Sequence, residues 1–184
     1  MDEKILLTTW YLEMFSEPET PPVKPPIKNL HIEKIEKPPI HFYRYLYNTI
    51  GAPWVWWERK LQSDEDVLKD IHHSSVELFV PFNKFLPIGM AEIDFRKANE
   101  AKLNYFGIFP EYYGKGIGKY LLDWTIRYVF SKGIKRYWLH TCSLDSPNAL
   151  PTYLKSGFKI YDVKKEYVEH PNIQIERIKR KLDT

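Results

Sequence analysis

The chain has 184 residues, enough for one domain with a substantial core. Its net charge is +3, with 27 basic against 24 acidic residues, too weak a bias to argue for a nucleic-acid partner. Cys142 is the only cysteine, which excludes an intrachain disulfide and favours a reducing, cytoplasmic setting. No apolar run approaches the roughly 18 residues of a membrane span, and the residues after Met1 lack a signal-peptide pattern. Aromatic residues reach 16%, with six Trp and 13 Tyr, more polar-tipped rings than a core needs. Some of them are therefore expected to line a pocket or cover a surface.

In chain order, residues 4–15 are rich in β-branched and aromatic types and predict a strand. Residues 18–39 hold seven of the 14 prolines, with apolar residues interleaved. They predict a stiff connection wrapping the surface, with short extended pieces near Leu30–Ile35; the other reading is a proline-rich partner ligand. Phe42, Tyr45, Leu46, Thr49 and Ile50 share a helical face that Gly51 ends. Trp54, Trp56 and Trp57 follow. A second helix starts at Ser63, an N-cap with Asp64, Glu65 and Asp66 in its first turn. Strands are expected over 76–81 and 88–95, joined by a turn at 83–87. In the second strand Met90, Glu92 and Asp94 face one way and Ala91, Ile93 and Phe95 the other. A strand over 102–109 leads into Tyr113-Gly114-Lys115-Gly116-Ile117-Gly118-Lys119, and a helix follows as far as Gly133. Beyond it come a strand at 136–142, a short helix at 147–155, a strand at 158–167 and a last short strand over 172–182, of which 177–181 could instead turn helical.

The glycine stretch reads as strand, turn and helix start. Free N–H groups there, at the positive end of the helix dipole, make an anion site, and Lys115 and Lys119 add charge. Tyr113 stands where a P-loop needs its first glycine, and Tyr120 where it needs Ser or Thr. Leu121 occupies the third glycine place of a dinucleotide fingerprint. What remains, x-G-x-G-x-G between strand and helix, resembles the pyrophosphate loop of the GCN5-related N-acetyltransferases. Asn148-Ala149, then Tyr153, then Gly157-Phe158 resemble the second motif of that family, so the likeness covers roughly residues 76–168. The extended amino-terminal part further resembles a bacterial subgroup of that family with no assigned substrate.

The resemblance implies a single α/β domain over 1–184, with the proline-rich connection at 18–39 and an acetyl-CoA-binding core at 76–168. It implies a mixed, mostly antiparallel sheet of six or seven strands, splayed between the fourth and fifth, with helices on both faces. It further implies acetyl-CoA as donor, bound by main-chain groups of Phe106 and Ile108 and by the loop Tyr113, Gly114, Lys115, Gly116, Ile117, Gly118 and Lys119. The Ile108 N–H would face the thioester oxygen, Asn148 would bond the pantetheine arm, and Tyr153 would protonate the departing thiolate. Tyr113 departs from the arginine or glutamine usual at its place.

The acceptor would be a small-molecule or peptide amine attacking directly in a ternary complex, which requires a base. Glu92 is one candidate, beside the cofactor strand; its other reading is an exposed or substrate-orienting carboxylate. His140 is the rival. Trp54, Trp57 and Asp94 are candidates for the acceptor pocket, the tryptophans alternatively forming a hydrophobic lid. No His, Cys or Asp spacing suggests a metal. The expected protein is a monomer or homodimer acting without nucleic acid or membrane. The alternative is a non-catalytic acyl-CoA-binding or sensor protein of the same fold.

Overall fold

The computed structural model describes residues 4–173 and 176. Strand β1 (Lys4–Met14) opens the chain, and the proline-rich segment follows. This segment lies along the helix at 117–131: the Val23 N–H donates to Asp123 Oδ2 at 3.0 Å, and Arg127 Nη2 donates to the Thr20 carbonyl at 2.6 Å. Within it, β2 (Leu30–Ile35) joins the sheet. Helix α1 (Ile40–Gly51) buries Tyr43, Leu46, Tyr47 and Ile50. The short helix α2 (Glu58–Leu61) and α3 (Asp64–Ile71) come next. The Ser63 hydroxyl accepts the Asp66 N–H at 3.1 Å, the cap that its sequence position predicts.

Strands β3 (Val76–Asn83), β4 (Leu86–Pro87), β5 (Gly89–Asp94) and β6 (Glu100–Ile108) lead to helix α4 (Ile117–Ser131). Strand β7 (Arg136–Cys142), helix α5 (Ala149–Lys155) and strand β8 (Lys159–Glu169) complete the described elements. Among the described residues the sheet has eight strands, in the order β2-β3-β5-β6-β7-β1-β8 with β4 paired to β3. Every pairing is antiparallel except β6 with β7. The expected count of six or seven is therefore corrected. β2 was expected only as an extended piece, and β4 lies in what the sequence presented as a turn. The last strand expected over 172–182 falls mostly outside the described residues, and 172 and 173 are helical.

The two faces of the sheet bury different helices. Ala91, Ile93 and Leu103 pack with Leu121, Leu122, Ile126 and Val129 of α4. Leu78, Val80 and Met90 pack with α1 and α3. The alternation on β5 places Met90 and Ala91 on these opposite faces, as a two-residue period requires. The parallel pairing runs only from Glu100–Leu103 on β6 to Arg136–Leu139 on β7. Beyond that point β7 stays paired with β1, up to Thr9 opposite Cys142, while β6 stays paired with β5. The two strands thus part, and the gap between them becomes the site.

Candidate active site

A cavity of about 660 Å³ fills this gap. One end meets the glycine turn and the start of α4, Trp56, Trp57 and Tyr105 line a further part, and Trp54 reaches from that part to the turn. At the first end Gly114 has φ +74° and Gly116 φ +77°, left-handed conformations that favour glycine. Gly118 is different. It is helical without positive φ, and a Cβ there would touch only Ile108, at 3.7 Å. Neither conformation nor packing demands glycine at 118, although glycine costs about 1 kcal/mol in a helix interior relative to alanine. Its missing side chain leaves room on the cavity side. The first N–H groups of α4 lack intrahelical partners and offer donors there. These features fit a pyrophosphate. Tyr113, Gly114, Gly116, Ile117, Gly118 and Lys119 all line the cavity. The Lys115 side chain turns away: its Nζ donates to the Glu111 carbonyl at 3.0 Å and lies 4.8 Å from the Tyr112 ring centre. The Tyr113 hydroxyl accepts the Trp54 indole N–H at 3.2 Å, which ties the turn to the tryptophan segment.

Along the middle of the gap, Phe106, Gly107 and Ile108 expose their strand edge. The Phe109 N–H bonds the Ile88 carbonyl at 2.8 Å. Successive N–H groups alternate along a strand, so those of Ile108 and Phe106 point into the gap. Asn148 and Tyr153, one at the cap and one within α5, line the opposite wall. The Tyr153 ring packs against Phe106 and Phe158 and is 8% exposed. Burial, with the charge of Asp145 behind it, pushes its hydroxyl well above the usual tyrosine value, so it stays protonated.

At the far end the cavity meets His140, Cys142, Asp145, Trp54, Trp56, Trp57, Glu58 and Tyr105. Burial, then the positive charge of Lys102, lowers the His140 value; Glu58 and Asp145 act against them. His140 is therefore neutral at pH 7 and able to take a proton. Burial pushes the Cys142 thiol up to about 11, so it is a poor nucleophile. Asp145 fixes this wall by accepting the Thr141 hydroxyl at 2.8 Å, the Cys142 N–H at 2.9 Å and the Trp56 indole N–H at 3.3 Å.

Two expected residues lie elsewhere. Glu92 is fully buried and is not part of the cavity wall. It accepts Tyr43 Oη at 2.5 Å, Arg59 Nη2 at 3.0 Å and Asn104 Nδ2 at 3.0 Å. Three donors on a carboxylate behind the wall leave it badly placed to take a proton from an amine. Asp94 pairs with Arg96 at 2.6 Å and also stands outside the wall. Sequence reasoning gave no role to Glu58 and Tyr105, which do reach the cavity. Their one sequence signal was an acid placed directly after the tryptophan run and a tyrosine on the cofactor strand.

Residues 43–158 match the model of the Acetyltransferase (GNAT) family, and the chain belongs to that family. A [ribosomal protein bS18]-alanine N-acetyltransferase of Haemophilus influenzae is 36% identical over 74 residues, covering 40% of this chain and 49% of that protein. The chain thus matches about half the length of this curated relative. Among solved structures, the GCN5-related N-acetyltransferase from Sphaerobacter thermophilus gives a TM-score of 0.66 at 14% identity, over 90% of this chain and 53% of that one. The ribosomal-protein-S18-alanine N-acetyltransferase from Escherichia coli gives 0.58 at 18% identity, over 71% and 77%. At these identities the structural likenesses speak for the fold. Among the described residues, no helix is long and apolar enough to cross a membrane, and no group of three or more His, Cys, Asp or Glu is placed to hold a metal ion.

Proposed function

We propose that this acetyltransferase moves the acetyl group of acetyl-CoA to a primary amine by direct attack in a ternary complex, acting in the cytoplasm as a single domain. The observation that carries this reading is the gap between β6 and β7. It joins a glycine turn without side-chain obstruction to a tyrosine acid and a neutral histidine in one cavity. The pyrophosphate lies on the main chain of 114–118 with Lys119 beside it. The edge of Phe106–Ile108 holds the pantetheine arm as an added strand would be held. Asn148 bonds its amide. The Ile108 N–H stabilises the thioester oxygen as negative charge develops on it, a donor worth about 3 kcal/mol.

His140 takes the proton of the incoming ammonium, directly or through water, and the free amine attacks the carbonyl carbon. The carbon–sulfur bond breaks, Tyr153 gives its proton to the thiolate, and the second proton that the nitrogen sheds as the amide forms returns to the tyrosine through solvent. Glu92 serves here as the anchor of Arg59 and so of the acceptor wall. A protein of the same fold that only bound acyl-CoA would not need a buried, protonated tyrosine and a neutral histidine in one cavity. The test combines binding and turnover. Acetyl-CoA raises the melting temperature, and thiol release follows when an amine is added. Tyr153→Phe lowers kcat by about 100-fold while the thermal shift with acetyl-CoA persists. A missing shift at millimolar acetyl-CoA, or unaltered turnover in Tyr153→Phe, contradicts the reading.

A further inference from the structure

The aromatic end of the cavity carries two carboxylates that the transfer steps leave unused, Glu58 and Asp145. Glu58 opens α2 and lines the cavity. Its Oε2 accepts the Tyr105 hydroxyl at 2.7 Å. The backbone beneath it is pinned by the next residue. Arg59 pairs with Asp70 at 2.6 Å and with Glu92 at 3.0 Å, and its N–H donates to the Tyr47 hydroxyl at 3.2 Å. The rings of Tyr47, Trp56 and Tyr105 meet one another at centroid distances of 5.2, 5.1 and 5.5 Å. A negative charge is thus held in place at the rim of a packed aromatic wall.

Ring faces together with a carboxylate suit an organic cation. The attacking nitrogen, however, must shed its proton, and a carboxylate gripping it would retain that proton. Glu58 therefore suits a positive charge that the reaction does not touch. Asp145, the other acid of this end, is already engaged by three donors. We propose that Glu58, held by Tyr105 within the aromatic wall, anchors a second, non-reacting ammonium, so that the acceptor is a small aliphatic diamine. This rests on the acetyl-transfer reading and deepens it.

The test is the ratio of kcat/KM for aliphatic α,ω-diamines to that for n-alkylamines of matching length. The ratio is about five- to tenfold in the wild-type protein, as expected for a partly exposed carboxylate acting with ring faces. Glu58→Gln brings it close to unity. Tyr105→Phe, which keeps the carboxylate but releases it, lowers the ratio partway. Equal rates for both acceptors in the wild-type protein overturn the proposal. So does a Glu58→Gln variant that loses both acceptors in proportion, as loss of a proton acceptor would cause, and so does a clear preference for peptide amino termini over diamines. Thermal shifts with acetyl-CoA are measured on the same proteins. Protection by acetyl-CoA without diamine preference overturns the anchor alone, whereas absence of protection overturns the acetyl-transfer reading beneath it.

Discussion

His140 is the residue whose environment bears most directly on pH. A free histidine titrates near 6.5, and here burial, then Lys102, holds the folded-state value lower. Between the two values the unfolded chain binds more protons than the folded one, so stability is complete above the unfolded value and falls as pH drops through it. Replacing His140 with Gln should flatten part of the loss in urea midpoint between about pH 7 and pH 5. It should also remove the acidic limb of the kcat/KM profile, which in the wild-type protein is displaced to lower pH than that of a free histidine. An acidic limb retained in His140→Gln would assign the base elsewhere. Tyr153 and Asn148 were legible only through the resemblance of Asn148-Ala149 and Tyr153 to the family's second motif; α5 brings both to one wall. Glu92 was legible as lying beside the cofactor strand, on the face of Met90 and Asp94, but its burial and its partners were not. Arg59, Tyr43 and Asn104 come from three different elements, and no local pattern announces that they converge.

At the scale of the element, the glycine turn separates two kinds of glycine. Gly116→Ala forces a side chain into a left-handed conformation and should cost about 1–2 kcal/mol of stability, read from chemical denaturation. Gly118→Ala should leave stability unchanged or raise it by up to about 1 kcal/mol, since alanine favours the helix and meets only Ile108. Acetyl-CoA binding should nevertheless weaken at least tenfold, because the new methyl occupies the side from which the pyrophosphate approaches the main chain. Normal affinity in Gly118→Ala would remove the turn from the donor site. Helices α1, α3 and α4 were legible because apolar spacing, the Ser63 cap and the closing glycines agree. α2 was not, being four residues directly after the tryptophans. β4 was not either, since Pro87 and a two-residue length mimic a turn.

Across the whole molecule, the chain Glu92–Arg59–Asp70–Arg96–Asp94 runs from the buried sheet to the surface and fastens the tryptophan wall to β5. Burial opposes the Arg59 charge, but Glu92 together with Tyr43, Tyr105 and Asp70 outweighs it, and its value rises. Glu92→Gln should therefore cost about 3 kcal/mol, measured by urea denaturation, because it leaves a buried guanidinium under-compensated. The acidic limb of the pH–rate profile should survive; its loss would return Glu92 to the role of base. The glycine loop and the Asn148–Tyr153 motif, through the family they resemble, made the general architecture legible, but pairing partners distant in sequence were not. The position of β1 shows what such pairing entails. The first strand of the chain lies between β7 and β8, with Thr9 opposite both Cys142 and Lys164. A nascent chain leaving the ribosome therefore carries β1 with both edges bare until residues 136–169 have been made. Leu7, Thr9 and Tyr11, which line the cavity, wait with it. Closing so long a loop before any contact repays it slows folding, and the cavity is completed late in biogenesis, after β1 has been shielded from other partners.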